Sequence, residues 1–360
     1  MNSTFKSLNI FIGNLERGGT QRNCVNIANM LFMRGHSVKI ITTRKACNNG
    51  YKSELNDGVN LKSLNHNRTV TSIIPLIKVI RKIEKESTII IMSYQLLPII
   101  VCIVKLMGKN NKIFFRNMNY ISKHMPNNYN YFSRIIQKYS MIFTLPLVDI
   151  VIHQCKEMEK DFKSFSYFQP KQSIVINNVL SSLNTQVVKQ IEHKPYLLLV
   201  GKLLPQKNIK FAIDILKLFH HKYEIIDLIV IGEGKLYSEL MAYAKHIGLS
   251  SHVKFIGRKD NMNDYYNSAY ATILTSDYEG FPNVLIESIY CRTPVVAHNC
   301  KSGPAELIIN GVNGFLVEYQ NANDFVDALK KVDSIDRSSI SRTIVKYLPE
   351  NVYKQYAKIL

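Results

Sequence analysis

A chain of 360 residues with 46 Lys and Arg against 27 Asp and Glu carries a formal charge of +19. At 46% hydrophobic and 20% charged residues it is neither a disordered tail, a small disulfide scaffold, a collagen-like repeat nor a low-complexity linker. Its length is about twice that of a typical domain, so two domains are expected. The charge is uneven. Residues 1–180 hold 25 basic and 9 acidic residues, +16, whereas residues 181–360 hold 21 and 18, +3. One basic and one nearly neutral half imply different partners.

In chain order, Leu8–Ile12 reads as a strand, followed by a helix from about Gln21 to Met33 that ends at Arg34-Gly35-His36. Ser37–Thr42 is the next strand. Ile73–Glu86 repeats apolar residues at helical spacing, with Lys78, Arg81, Lys82 and Lys85 on its other faces. Ile89–Met107 is apolar for most of its length but holds Ser93, Gln95, Pro98 and Lys105. It reads as a buried strand, a loop and a helix with Pro98 in its first turn, rather than as a membrane span. Lys112–Phe115 and Ile150–His153 are further short strands, and Tyr131–Phe143 has an amphipathic helical pattern. The apolar residues of both amphipathic helices are expected to cover the sheet. In the second half, strands Tyr196–Val200, Asp227–Ile231, Val253–Ile256 and Ala271–Leu274 have the continuous apolar character of buried parallel strands. Helices at about Asn208–His220, Leu236–Ile247, Asn283–Cys291 and Ala322–Val332 separate them. The βα alternation predicts two open parallel sheets with helices on both faces. Residues 181–194, polar and aperiodic, form the expected linker. The six cysteines show no CxxC and no paired spacing, as expected of thiols in a reducing compartment. No secretory signal is evident at the start, where Met1–Phe11 runs into the first strand.

Three segments carry chemistry. Ser276-Asp277-Tyr278-Glu279-Gly280-Phe281-Pro282-Asn283-Val284-Leu285-Ile286-Glu287 follows a strand and opens a helix. With Pro282 in the first turn, Glu279 lies just outside the helix and Glu287 more than one turn inside it. The two carboxylates are then roughly 8 Å or more apart, too far to share a proton but suited to two hydroxyl-bearing ends of one ligand. The N–H groups available among residues 281–284, Pro282 having none, form an anion site between them. The second segment, Val200-Gly201-Lys202-Leu203-Leu204-Pro205-Gln206-Lys207-Asn208, puts Lys202 and Lys207 at the carboxyl end of a strand, where open parallel sheets bind ligands. Two ammonium groups there could neutralise a diphosphate leaving group. The third, Glu16-Arg17-Gly18-Gly19-Thr20-Gln21, lets backbone approach a ligand closely but is not the GxGxxG of a dinucleotide site. No DxD motif and no His/Cys cluster of metal-ligand spacing is present, so neither a metal nor another cofactor is expected.

Together these segments resemble the retaining GT-B-fold glycosyltransferases of the family-four type (glycosyl transferases group 1). The resemblance covers nearly the whole chain. It includes Gly18-Gly19, Ile176-Asn177-Asn178-Val179, the Gly201–Lys207 turn, Ile231-Gly232-Glu233-Gly234, Phe255-Ile256-Gly257, the Glu279–Glu287 pair, Thr293-Pro294-Val295-Val296 and Asn310-Gly311-Val312-Asn313-Gly314. The glutamate pair, with seven residues between its members, is its most specific element. The chain looks most like enzymes that add sugars to lipid-linked precursors of bacterial surface polysaccharides such as lipopolysaccharide O-antigen or capsule.

The resemblance implies two Rossmann-like βαβ domains facing each other across a cleft. Residues 1–180 would form a basic acceptor-binding domain and residues 195–345 a nucleotide-sugar-binding domain, with a C-terminal helix in 346–360 packing back on the first. By position, Glu279 is expected to contact the donor hexose, Glu287 the ribose hydroxyls, Lys202 and Lys207 the diphosphate, and backbone near Arg258 the base. Gly18, Gly19, Gly280, Phe281, Pro282, Asn283 and Val284 complete the expected donor site. Lys202 stands where the family commonly has Arg, keeping the charge but losing the bidentate fork. Asn178 stands where Pro is frequent, a difference expected to matter little. Arg116-Asn117 resembles an Arg-Asn pair of some members, which makes Arg116 the candidate catalytic neighbour from the first domain, with His124 and His153 as alternatives.

The expected activity is metal-independent, retaining transfer of a hexose or N-acetylhexosamine from a nucleotide-sugar, expected to be UDP-linked, to a lipid-diphosphate-linked acceptor, by front-face displacement. The expected location is the cytoplasmic face of the cell membrane, with the basic half drawn to anionic lipid through Lys78, Arg81, Lys82 and Lys85. A nucleotide-sugar epimerase or a phosphorylase would keep the fold and change the reaction. A nucleic-acid binder would explain the charge but not two βα domains, and no aromatic RNA-binding signature accompanies the basic residues.

Overall fold

The computed structural model describes residues 6–44, 50–66, 70–123, 131–165, 170–180 and 195–360. The chain divides into two units: Met1–Val179 with Leu348–Leu360, and Leu180–Tyr347. The linker expected at 181–194 lies outside the described residues, as does His124.

The first unit contains strands β1 (Ser7–Ile12), β2 (Ser37–Arg44), β3 (Asn60–His66), β4 (Thr88–Ile91), β5 (Lys112–Arg116), β6 (Ile150–His153) and β7 (Gln172–Val175). They form one parallel sheet in the order β3-β2-β1-β4-β5-β6-β7. Its helices are α1 (Gly19–Met33), α2 (Ile73–Arg81), α3 (Leu96–Leu106), α4 (Tyr131–Thr144) and α5 (Lys156–Phe165). Two apolar layers flank the sheet. One joins α1 to Leu8, Ile10 and Ile40, and the other joins α2 and α3 to Phe11, Ile89, Ile91 and Phe115. Central strands such as β4, Thr-Ile-Ile-Ile, are buried on both faces, so their β-branched runs fit the pleat and hold no polar side to show water.

In the second unit, β8 (Tyr196–Val200), β9 (Asp227–Ile231), β10 (Val253–Phe255), β11 (Ala271–Leu274), β12 (Val295–His298) and β13 (Gly314–Val317) pair in parallel in the order β10-β9-β8-β11-β12-β13. The helices are α6 (Ile209–Lys222), α7 (Tyr237–His246), α8 (Met262–Ser268), α9 (Asn283–Tyr290), α10 (Pro304–Leu307), α11 (Ala322–Lys331) and α12 (Arg337–Ile340). Both sheets start in the middle, run to one edge, and return to continue on the other side. Each therefore has a point where successive connections diverge, between β1 and β4 and between β8 and β11.

Two expectations change. The helix read over Ile73–Glu86 ends at Arg81, and the charged run Lys82 to Glu86 forms the turn into β4. The Tyr131–Phe143 pattern is a helix, but most of its apolar side chains do not cover the sheet: Phe132, Ile136, Tyr139 and Phe143 are exposed.

A last helix, α13 (Pro349–Ala357), belongs to the first unit. Val352 and Tyr356 are fully buried with Leu8, Ile10, Ile27 and Leu31, and the Tyr353 hydroxyl lies 3.1 Å from His36 Nε2. The Tyr356 hydroxyl also accepts from the buried guanidinium of Arg116 at 2.8 Å. Tyr356→Ala removes both a core ring and a partner of a buried charge, so it should destabilise the first unit by about 3–5 kcal/mol. Urea unfolding followed by circular dichroism measures the loss.

Candidate functional site

In the second unit the loops leaving β8 and β11 meet at the point where the connections diverge. The Asp277 N–H donates to the Gln206 carbonyl at 2.9 Å, and Gln206 Nε2 donates to the Tyr278 carbonyl at 2.7 Å. Thr275 Oγ1 donates to the Lys207 carbonyl at 2.9 Å, and Asn208 Nδ2 donates to Asp277 Oδ1 at 3.2 Å. Laced together in this way, the loops bring Lys207 Nζ to 2.6 Å from Glu279 Oε1. Ser276 Oγ donates to the same oxygen at 2.6 Å. Glu279 is buried and Lys207 partly so, which strengthens the attraction between them and raises the cost of taking both from water.

The loop after β12 supports the glutamate from behind. The Glu279 N–H donates to the Lys301 carbonyl at 3.3 Å, and Ser302 Oγ donates to the Gly280 carbonyl at 2.6 Å. Gly303, at φ +92°, lies so close that a Cβ there would be 2.5 Å from Pro282 Cδ. Pro282 is the N-cap of α9 rather than a member of its first turn, and the Leu285 N–H turns back to its carbonyl at 3.0 Å. The helix then begins at Asn283, with the positive end of its dipole beside Gly280, Phe281 and Pro282. Phe281 is held against the Tyr347 ring, centroids 5.6 Å apart. Glu287 is the fifth residue of α9, buried, and its Oε2 accepts from the Tyr266 hydroxyl at 2.9 Å.

Lys202 and Arg258 are exposed on the loops that follow β8 and β10, on the same edge of the sheet. That edge is drawn tight at Gly232. Its N–H donates to the Gly257 carbonyl at 2.8 Å, and at φ +148° a Cβ would stand 1.8 Å from the Gly201 carbonyl oxygen. Only glycine fits there. The sequence-selected residues of the second unit therefore share one edge, with Lys207 and Glu279 in direct contact.

The first unit holds the remaining candidates. Gly18 is extended at φ −177° and caps α1, and Gly19 is the first helical residue, both just beyond the carboxyl end of β1. Arg116 does not reach a surface. It is fully buried, with Nη1 donating to the Ile176 carbonyl and Tyr356 hydroxyl, and Nη2 to the Asn177 carbonyl and Asn178 Oδ1. Burial pulls its pKa down, and the Tyr356 contact opposes that. In this structure Arg116 is a framework residue that cannot touch a ligand. Asn178 matters more than its place in the motif suggested. Its Oδ1 accepts from both Arg116 and Asn23, and its Nδ2 donates to Gln154 Oε1, bonds that a proline could not make.

Asn117 and His153 belong to a buried polar chain at the carboxyl ends of β5 and β6. The Tyr94 hydroxyl donates to Asn117 Oδ1, Asn117 Nδ2 lies 3.1 Å from His153 Nδ1, and His153 Nε2 lies 2.9 Å from Ser173 Oγ. Burial pulls the imidazole down to about 4, so it stays neutral at physiological pH. Among the described residues, no group of three or more His, Cys, Asp and Glu is placed to hold a metal ion, and no helix is long and apolar enough to cross a membrane.

Residues 183–343, nearly all of the second unit, match the family of glycosyl transferases group 1. The whole chain superposes on Anabaena HepE in complex with UDP with a TM-score of 0.77, 17% identity and 99% of each chain covered. The chain has the GT-B fold. It is 26% identical over 333 residues to an uncharacterized glycosyltransferase of Haemophilus influenzae, covering 90% of this chain and 89% of that one. It is also 26% identical, over 91% of this chain and 88% of the relative, to a Campylobacter jejuni GalNAc-alpha-(1->4)-GalNAc-alpha-(1->3)-diNAcBac-PP-undecaprenol alpha-1,4-N-acetyl-D-galactosaminyltransferase.

Two residues of this site were passed over in sequence. Ser276 stands three positions before Glu279 and orients it, a spacing that could have been noticed. Tyr266 reaches Glu287 across 21 positions from α8, and nothing local in sequence announces that contact.

The His153 imidazole gives a pH dependence of definite sign. Its folded pKa lies below the ordinary value, so between about pH 6.5 and 4 the unfolded chain binds a proton that the folded one refuses. Stability is full above that window, falls through it by about 3 kcal/mol from this group, and levels off below it. The difference in stability between the protein and His153→Gln should shrink as pH falls through that window. Urea midpoints at pH values spanning the window measure it.

Proposed function

We propose that the protein transfers a hexose or N-acetylhexosamine, with retention of configuration, from a UDP-sugar to a lipid-diphosphate-linked oligosaccharide in bacterial surface polysaccharide assembly. The observation that carries this reading is the Lys207–Glu279 contact at the divergence point between β8 and β11, beside the amino end of α9. An ammonium and a helix N-terminus on one strand edge suit a diphosphate, and buried carboxylates on either side suit hydroxyls. A UDP complex among the structures of this fold, and a relative whose named acceptor is PP-undecaprenol-linked, support the donor and acceptor classes.

In this reading the second unit binds the donor. Lys207 and Lys202 hold the diphosphate, aided by the backbone N–H groups of Gly280, Phe281, Asn283 and Val284. The backbone near Arg258 borders the base, and Glu287 receives the ribose hydroxyls. Glu279 faces the hexose. Before donor arrives, Lys207 is neutralised by Glu279; an incoming diphosphate competes for the ammonium and leaves the carboxylate to accept from sugar hydroxyls. As the glycosidic bond to phosphate lengthens, negative charge grows on the leaving oxygen, and Lys207 stabilises it most in the transition state. The acceptor hydroxyl attacks from the face that the diphosphate leaves, and its proton passes to the departing phosphate oxygen. The first unit, with its excess of +16 over residues 1–180, receives the acceptor and draws the enzyme to the inner face of the membrane, and its Gly18-Gly19 turn serves the donor.

Lys207→Ala and Glu279→Gln should each lower turnover by about 100-fold or more, with far-UV circular dichroism unchanged. Glu287→Gln should act mainly by weakening UDP binding in calorimetry. Acceptor-dependent UDP release from a panel of UDP-sugars reads the turnover, and wild-type turnover in Lys207→Ala would overturn the assignment. Excess chelator should leave the rate unchanged, because the leaving-group charge is met by lysines and backbone N–H groups. Loss of activity on chelation, restored by Mg²⁺ or Mn²⁺, would show that a cation carries that role.

A further inference from the structure

Helix α4 is fastened to the first unit by one end and one side. Met141, Ile142 and Thr144 are buried, the helix packs on α3, and Gln137 Nε2 donates to the Tyr94 carbonyl at 2.7 Å. The opposite side is a row of large apolar groups in water. Tyr131, Phe132, Ile136, Tyr139 and Phe143 are between 55% and 76% exposed. Phe132, Ile136, Tyr139 and Phe143 follow each other at steps of four, three and four, which aligns them on one face of a helix. Exposed apolar residues scattered singly need no explanation, but a contiguous aromatic stripe does.

We propose that this stripe is where the protein docks on an anionic lipid bilayer, with α4 lying in the plane of the head groups and its aromatic side pressed into the acyl boundary. The proposal rests on the reading above, in which the acceptor is lipid-linked, and it names the surface that delivers the first unit to it. Charge decides the occupant. From residue 87 to residue 148 there is no Asp or Glu, while, apart from the buried Arg116, Lys105, Lys109, Lys112, Lys123, Arg134 and Lys138 supply six basic residues. Arg134 and Lys138 stand on α4 itself, only partly exposed, with the Arg134 guanidinium 5.6 Å from the centre of the Tyr131 ring. A second copy would set this basic helix against its own like charge with no carboxylate in the segment to answer it. An anionic membrane offers phosphate to the basic residues and hydrocarbon to the stripe at once. Tyr and Phe suit that boundary, where a ring can bury its body and a hydroxyl can stay wet. The helix does not span: 14 residues rise roughly 21 Å, short of a hydrocarbon core of about 30 Å, and Ser133, Arg134, Gln137 and Lys138 interrupt it.

The chain contains no tryptophan, so Phe132→Trp places one fluorophore on the stripe of the full-length protein. Its emission should shift to the blue with vesicles of phosphatidylglycerol and phosphatidylcholine, and much less with phosphatidylcholine alone. In co-sedimentation, replacing Phe132, Ile136, Tyr139 and Phe143 together with Ser should weaken partitioning by roughly ten-fold or more. Arg134→Gln and Lys138→Gln should each weaken it by up to about five-fold, an effect that added salt removes. Ile136→Asp, a single exposed change, guards against misfolding of the quadruple variant, and UDP calorimetry should be unchanged in both. Undiminished vesicle binding by the serine variant and by Ile136→Asp overturns the proposal. So does a wild-type protein that ignores vesicles but forms a dimer, or captures an acidic protein, through this stripe. Transfer activity separates the two readings: a protein that docks but releases no UDP on acceptor addition removes the proposed function, and one that transfers without docking removes only this surface.

Discussion

An ammonium and a carboxylate 2.6 Å apart at the divergence point of the second sheet are the contact on which the rest of the site depends. They are 72 positions apart in sequence and meet only because β8 and β11 are neighbours whose connections leave in opposite directions. Stability does not explain the pair. Two largely buried charges lose about as much hydration as they gain in attraction, and an apolar pair of similar volume would serve the fold as well. The surrounding bonds hold the pair in place instead: Ser276 on the carboxylate, Thr275 on the Lys207 carbonyl, Gln206 on the facing loop, and Gly303 allowing the β12 loop to press on Pro282. The lysine is thereby kept on a strand edge beside a helix N-terminus, its charge compensated by the carboxylate.

Much of this was legible because the interior of a parallel sheet has a simple sequence. Tyr196–Val200, Asp227–Ile231 and Ala271–Leu274 are continuous apolar runs that must be buried, and the loops after them are the only places where Lys207 and Glu279 could sit. The outer strands were harder. Asn60–His66 alternates exposed and half-buried residues at the sheet's edge, where pairing with β2 rather than burial makes the strand, so its apolar content gives no signal. Arg116 misled for a related reason. An arginine just beyond an apolar strand looks like a residue at a ligand edge, and only long-range contacts with Ile176, Asn177, Asn178 and Tyr356 show that its charge is used up inside. Helix α4 misled in the opposite direction. Periodicity shows that one face of Tyr131–Phe143 is apolar, but it cannot show which face the fold leaves in water.

The same topology occurs twice in the chain and is used in two ways. At the divergence point of the second unit the strand ends carry full charges in contact, with more cationic side chains exposed nearby at Lys202 and Arg258. In the first unit the corresponding strand ends carry a neutral chain. Tyr94, Asn117, His153 and Ser173 pass hydrogen bonds from one to the next, and burial keeps the imidazole uncharged. Arg116, beside that chain, donates to backbone carbonyls and to the Asn178 and Tyr356 side chains. Part of the +16 of residues 1–180 lies on outer surfaces, such as the exposed Lys78, Arg81, Lys82 and Lys85 around α2. A localised charge pair meets a compact anion such as a diphosphate, whereas cations dispersed over a surface meet an extended one. In the proposed reading, that contrast gives the compact anion to the second unit and the extended anionic surface to the first.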